Sequence, residues 1–426
     1  MRVYTDGSCI NNGKADAVCG SGIWVERNHP LNNAIRVPGP YQSNQVGEIA
    51  AVVKAAETLP NYCKLTIVTD SMYVINGLTK HLKTWEDNGW IEVENADLFK
   101  RAAYLLKSRT APTFFEWVKG HRGDLGNEES DKLAKKGASK DAPDPLSLHI
   151  PKEFDLQGAK LATLSQALAY RGIRRMKPEN VRAIANRNID LAREAIKTFS
   201  GQLETTKTIW KSIRKRTIRL RVQQFLFKAI HNTPMIGEIW FHIEGYQTRG
   251  KCAPCDAVES MAHILTTCEA GHARTIWNLV KSLWPYDPSL WPEITLGTIL
   301  GCGCLTVKNP PTRRARQMIQ STPITNTRGA SRLLQILISE AAHLTWVLRC
   351  ERVIQEITHS AEEAQKRWYK AINRRLTDDK ITATMIKRHE PFTQLVEATW
   401  EETLKKSSDL PTGWITHREV LVGRSE

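Results

Sequence analysis

Residues 137–151 (GASKDAPDPLSLHIP) constrain the fold most, because this stretch carries three prolines and no periodic apolar face. Neither a helix nor a strand is expected to run through it, so the chain of 426 residues reads as two parts. Ahead of the stretch, strand patterns alternate with helical ones; behind it the sequence turns helical and basic. The net charge of +15 follows the same division, with +2 on residues 1–140 and +13 on residues 141–426. The rear therefore carries a field that attracts polyanions, of which nucleic acid is the commonest. At 41% hydrophobic, the chain has apolar material for two or three domains, which excludes a disordered tail. No apolar run is long enough to span a membrane, and the opening MRVYTDGSC lacks the pattern of a secretory signal. An intracellular protein, cytoplasmic or nuclear, with no membrane partner, is the expectation. Nine irregularly spaced cysteines argue for reduced thiols and a metal site rather than a disulfide scaffold.

In the first part, residues 2–10, 20–26 and 34–37 read as strands. Val46, Ile49, Ala50 and Val53 recur at helical spacing, which predicts a helix over 43–59 that Pro60 stops. Residues 64–70 suit a buried strand, Ser71 can cap the next helix, 96–107 is helical, 113–119 is a strand, and Asn127 can cap a last helix ending near 136. The boundaries expected are 1–140 for an α/β domain, 141–158 for a linker, and 159–300 for a helical basic region. An irregular basic segment over 301–330 and a helical region over 331–426 follow. Helices are expected over 159–169, 178–199 and 206–230, the last containing Arg214, Lys215, Arg216, Arg219 and Arg221. Its charged face reads either as solvated or as a phosphate-binding surface. The spacing of Leu334, Ile338, Ala341 and Thr345 supports internal packing or association with itself or a partner protein.

Four carboxylates are placed where they can converge. Asp6 lies in the first strand (YTDGSC), Glu48 on the first helix (SNQVGEIAA), Asp70 at the end of a buried strand (VTDSMY) and Asp131 in the last helix (GNEESDKLAKK). Strand ends and the helices packed on them can meet at one sheet edge, and carboxylates gathered there repel unless a cation neutralises them. Mg²⁺ suits a few carboxylates, water and phosphate oxygens.

These motifs, in this order and joined by Asn-Gln-x-x-Glu and WVKGH, resemble type 1 ribonuclease H over the first third of the chain. The resemblance implies a mixed five-stranded sheet flanked by helices and hydrolysis of the RNA strand of RNA–DNA hybrids, leaving 5′-phosphates. It further implies that Asp6, Glu48, Asp70 and Asp131 hold two Mg²⁺ ions, with Mn²⁺ as a substitute, about 4 Å apart across the scissile phosphate. His121 matches the histidine of the family that serves proton transfer or product release. Asn12, Asn44 and Gln45 match contacts to the minor groove and RNA 2′-hydroxyls, and Ser43 and Asn95 match contacts to a DNA-strand phosphate. Ser43 or Asn44 can equally cap the helix. The chain departs from the family where Glu86 and Asp87, between Trp85 and Trp90, replace the basic handle. The chain begins only five residues before Asp6, so the first strand is expected to be short at its start and no separate N-terminal hybrid-binding domain is expected.

Cys252, Cys255, His263 and Cys268 have the spacing C-x₂-C-x₇-H-x₄-C, a set of four that would close a structural Zn²⁺ site. Uncoordinated thiols and redox chemistry are the alternatives. The surrounding residues, 221–284, resemble the zinc-binding region near the reverse transcriptases of non-long-terminal-repeat retrotransposons. The two resemblances together imply a ribonuclease H of retroelement origin whose basic rear binds nucleic acid. The alternative is a catalytically weak remnant, serving as a basic, zinc-stabilised nucleic-acid-binding protein.

Overall fold

Five strands, β1 (Arg2–Ile10), β2 (Val18–Trp24), β3 (Asn33–Arg36), β4 (Leu65–Thr69) and β5 (Thr113–Trp117), form one mixed sheet in the order β3-β2-β1-β4-β5. The structure is a computed structural model describing residues 1–120, 123–155, 158–177, 182–269, 272–308, 326–385, 390–405, 410–411, 413–417 and 419–423. The antiparallel pairs β1–β2 and β2–β3 need only short turns, whereas β4 and β5, parallel to their neighbours, need helical crossovers. These are α1 (Asn44–Thr58) ahead of β4, and α2 (Met72–Leu78), α3 (Leu82–Asp87) and α4 (Ala96–Lys107) ahead of β5. A last helix, α5 (Leu125–Ala138), follows β5.

Glycines set how closely the helices approach the sheet. A Cβ on Gly7 of β1 would stand 2.3 Å from the Glu48 backbone nitrogen, and one on Gly47 would stand 3.1 Å from Gly7 Cα. Helix α1 therefore lies backbone against backbone on β1, and the Ser21 hydroxyl of β2 pins it by donating to Gly47 O at 2.6 Å. On the opposite face, a Cβ on Gly22 would meet Ser130 O at 1.9 Å and one on Gly20 would meet Ala134 O at 2.4 Å, so α5 is seated on β2 in the same way. Helix α5 begins at Leu125, with the Asp124 carboxylate accepting from Asn127 N–H at 3.0 Å. Asn127 is thus the capped residue and Asp124 the cap, because Asp124 is the residue whose extended backbone leaves its side chain over the first turn.

The chain divides into two compact units, Met1–Asn180 and Val181–Glu426. Residues 137–151 lie within the first. Asp144 N–H donates to Arg36 O at 2.9 Å, Arg36 N–H donates back to the Asp144 carboxylate at 2.7 Å, and Arg101 donates to His149 O at 2.6 Å. Such polar ties leave no periodic trace in a sequence. The first unit also keeps α6 (Gln166–Met176), where 159–169 was expected to be helical; Leu161–Thr163 makes only a 3₁₀ turn.

In the second unit, α7 (Ala183–Ser200) ends on Gly201 with φ of 63°, the left-handed stop that glycine permits. The single helix expected over 206–230 is two, α8 (Thr206–Ser212) and α9 (Leu220–Ile230). The intervening chain buries Ile213 and Ile218 and sends Lys215 to Gly303 O at 2.6 Å, a long-range contact that apolar spacing does not show. The long helix Thr327–Ile354 is the centre of this unit's core, with Leu334, Ile338, Ala341 and Thr345 all buried. That apolar row packs within the chain. Among the described residues no helix is long and apolar enough to cross a membrane. Gly7→Ala is expected to lower unfolding stability by about 1–3 kcal/mol, the range for overpacking a tight core. An unchanged urea midpoint would refute the close α1–β1 contact as a determinant of stability.

Candidate active site

The β1–β4 ladder pairs Tyr4 with Val68, and extending that register by two residues brings Asp6 beside Asp70. Helix α1, held against Gly7, delivers Glu48 to the same place. One oxygen from each of Asp6, Glu48 and Asp70 lies within 4.8 Å of the other two. Asp6 is 6% exposed and its Oδ1 accepts from Gly7 N–H at 2.7 Å. Glu48 Oε2 is buried and has no hydrogen-bond donor among the described residues. A buried carboxylate oxygen without a donor, aimed at two further carboxylates, fits a divalent cation with oxygen ligands.

The electrostatics agree. Burial, then the nearby Asp70 charge, raises the Asp6 carboxyl to about 7; burial, then Asp6 and Asp70, raises Glu48 to about 9. Neither group is comfortable as an anion unless a positive charge joins it. Asp131 stands on α5 beside Ser130, the residue seated against Gly22, and its charge also raises Asp6. Its Oδ2 accepts from Lys135 at 2.6 Å, so a cation drawing Asp131 in must compete with an ion pair one helical turn away.

Asp70 has further neighbours that residue type alone does not reveal. Its carbonyl accepts from Trp117 Nε1 at 3.1 Å, and a Cβ on Gly120 would stand 2.3 Å from Asp70 Oδ2. The WVKGH motif therefore supplies a tether and a clearance for the acid, and the glycine spacing was its only signal. His121 lies outside the described residues.

The residues matched to substrate contacts fall into separate groups. Asn44 N–H donates to Asn12 Oδ1 at 3.3 Å, and Asn12, Asn44 and Gln45 are exposed. Ser43 caps α1, its hydroxyl accepting from Val46 N–H at 3.2 Å. Asn95 opens α4 with φ of 57° and donates to the Tyr73 hydroxyl at 3.0 Å. In the handle, Trp85 packs on Phe99 and Trp90, which is buried; Glu86 pairs with Lys107, and Asp87 pairs with Lys83 and Lys160.

In the second unit, Cys252, Cys255, His263 and Cys268 come within 4.8 Å of one another. Cys268 Sγ lies 3.7 Å from both Cys252 Sγ and Cys255 Sγ. Thiolates about 2.3 Å from a tetrahedral Zn²⁺ sit about 3.8 Å apart, so these separations fit that ion. The Cys252 carbonyl accepts from Cys255 and Asp256 N–H, folding the first pair into a tight turn. A π-helical turn, His263–Thr267, closes with Cys268 N–H donating to His263 O at 2.8 Å and puts the second pair on one side. His263 Nε2 is buried without a hydrogen-bond partner among the described residues.

Residues 1–139 match the ribonuclease H family model. Ribonuclease H1 of Mus musculus is 41% identical over 141 residues, covering 32% of this chain and 49% of its own length. Ribonuclease H of Schizosaccharomyces pombe is 39% identical over 142 residues, covering 32% and 52%. Ribonuclease H of Verminephrobacter eiseniae is 34% identical over 144 residues, covering 32% and 89%. The chain thus matches some relatives over nearly their whole length and spans about half the length of others. This chain belongs to the ribonuclease H family, through its N-terminal third.

Asp6 and Glu48 hold protons more tightly folded than unfolded, so without divalent cations their contribution to stability is fully present only in acid, below the ordinary carboxylate range. It falls as pH rises through about 7 and then about 9. Mg²⁺ should therefore raise the melting temperature more at pH 8 than at pH 5. Scanning calorimetry with and without chelator checks this, and an equal shift at both pH values would contradict the raised Asp6 and Glu48 carboxyls.

Proposed function

We propose that this protein hydrolyses the RNA strand of RNA–DNA hybrids, leaving 5′-phosphates. The observation that carries the reading is the meeting of Asp6, Glu48 and Asp70 from three separate elements within 4.8 Å, in a chain of this family. Those three, with Asp131, would hold two Mg²⁺ ions. Bound divalent cations supply activation of a water and neutralisation of charge on the phosphate. The chain's own part is geometric: Gly7 and Gly47 fix Glu48 against Asp6, and Trp117 and Gly120 hold Asp70 beside them. Asn12, Asn44 and Gln45 form the exposed polar rim that reads the RNA strand, and Asn95 and Ser43 take the DNA-strand phosphate. His121 serves proton transfer or product release.

Glu86 and Asp87 of the handle are each paired with lysines, and this offset of their charge favours the enzyme over the alternative of a binding protein. The Cys₃His set would hold a structural Zn²⁺, and its likeness to retrotransposon sequences supports retroelement descent. Asp70→Asn should lower hybrid cleavage more than about a hundredfold with the fold intact, because it removes a metal-binding charge at nearly constant shape. End-labelled hybrid, RNA duplex and DNA duplex are the substrates to compare with Mg²⁺, and undiminished cleavage by the mutant would sink the assignment. Zinc near one per chain after desalting, lost in Cys255→Ser, is expected by elemental analysis; folded protein free of zinc would remove that site.

A further inference from the structure

The second unit contains a cavity of about 900 Å³ that neither the acidic trio nor the cysteine set uses. Its walls come from α9, the 3₁₀ turns Gly237–His242 and Gln247–Gly250, and the C-terminal half of the helix Thr327–Ile354. Three cations line it, Arg221 and Lys228 on α9 and Arg249 on the second turn, all of them exposed. Among the described residues no Asp or Glu lines it, and Arg349, the remaining cation, is neutralised by the buried Glu259 carboxylate. Arg221 and Lys228 are seven residues apart on one face of α9, two turns that make a cationic rail of about 10 Å.

The rest of the lining is aromatic and apolar. Trp346 is only half-buried and stacks on Phe225 with ring centres 6.0 Å apart and planes 29° from parallel. His343 meets the edge of Phe225 at 5.8 Å, and burial with the Arg219 and Arg221 charges pushes its imidazole down to about 4, so it adds an aromatic edge without a charge. On the facing wall, the Arg249 guanidinium lies 5.4 Å from the Trp240 ring centre and 4.8 Å from that of Tyr246, while Trp240 Nε1 is fixed on Met235 O at 2.9 Å. An acidic peptide would satisfy the cations but not several aromatic faces at once. An apolar peptide would fill the floor and leave the cationic rail unanswered. A duplex presents phosphates but keeps its base faces stacked away.

We propose that this groove binds single-stranded nucleic acid, with the backbone along Arg221 and Lys228 and bases stacked against Trp346 and Trp240. Unpaired strands offer both of the required chemistries, phosphate charge and open π faces. The site is a second nucleic-acid surface in the unit that lacks the carboxylate trio, so it stands independently of the hydrolytic reading.

The test is fluorescence anisotropy on the full chain carrying Asp70→Asn, which keeps cleavage out of the measurement. The probes are labelled oligo(dT) and oligo(U) of about 12 nucleotides, within the span one such surface covers, and a blunt DNA duplex. Single strands are expected to bind more tightly than the duplex, and the DNA and RNA arms show which strand is preferred. Trp346→Ala should weaken binding about fivefold or more, while Trp346→Phe retains most of it. Because Trp346 also packs on the core, a second variant keeps the test open: Arg221→Ala with Lys228→Ala, both exposed. That pair should lower the salt dependence of log K by about 1.4, the value for two phosphate contacts on a single strand. Unchanged single-strand affinity and salt slope in the paired-cation variant, or a duplex bound as tightly as the single strands, would overturn the proposal.

Discussion

The contact between Gly7 and Gly47 is the constraint on which the active site depends. It lets α1 touch β1 through the backbone, at a distance where a Cβ on Gly7 would collide with the Glu48 nitrogen at 2.3 Å. Only at that separation does Glu48 reach the oxygens of Asp6 and Asp70. The same device, with Gly20 and Gly22 against α5, brings Asp131 toward the cluster from the other face. Small residues thus serve here as spacers that fix the distance between charges. Burial first, and then the repulsion concentrated in this way, raises the Asp6 and Glu48 carboxyls, and together they are the physical reason the site favours a cation.

The second unit rests on a different principle. Its central helix is buried nearly all round and carries charges inward, where each meets an opposite one: Arg349 with Glu259, Glu340 with Arg219, and Arg332 with Asp379. Such pairs contribute little net stability against an apolar replacement, but losing one partner leaves a buried charge that costs about 3–5 kcal/mol. They tie particular segments together. Glu259 belongs to the cysteine-bearing loop, and Arg352, one turn beyond Arg349, directs its guanidinium to Cys252 Sγ at 3.8 Å. The long helix therefore orients the cysteine cluster as well as filling the core. The basic character of this unit divides likewise: Lys215 and Arg219 are spent on internal contacts, whereas Arg214, Arg216, Arg221 and Lys228 face solvent.

The α/β order of the first unit was legible because its strands and helices keep clean periodicities. Strand β1 and helix α4 fall on the expected residues, and α1 differs from its expected span by one residue at each end. The acidic residues were legible because their types and spacing are chemically restrictive. The helix expected over 206–230 is broken at 213–219 because apolar spacing does not register the long-range contacts made there, the burial of Ile213 and Ile218 and the Lys215–Gly303 hydrogen bond. The polar stretch at 137–151 was expected to separate units, yet the Arg36–Asp144 exchange fastens it to the sheet. A polar segment that folds by pairing with distant backbone looks the same in sequence as one that does not.

Sequence by itself determined the inventory: which carboxylates can hold a cation, which thiols and imidazole form a set of four, and where charge accumulates. Those properties reside in residue types and short spacings, which local chemistry fixes. Tertiary structure alone decided that oxygens of Asp6, Glu48 and Asp70 lie within 4.8 Å of one another while Asp131 is engaged by Lys135. It also decided that Trp346 faces one cavity with Arg221, Lys228, Trp240 and Arg249, which lie 97 to 125 residues earlier in the chain. Distances between segments remote along the chain depend on how backbones dock, and docking is set by packing that no local pattern records.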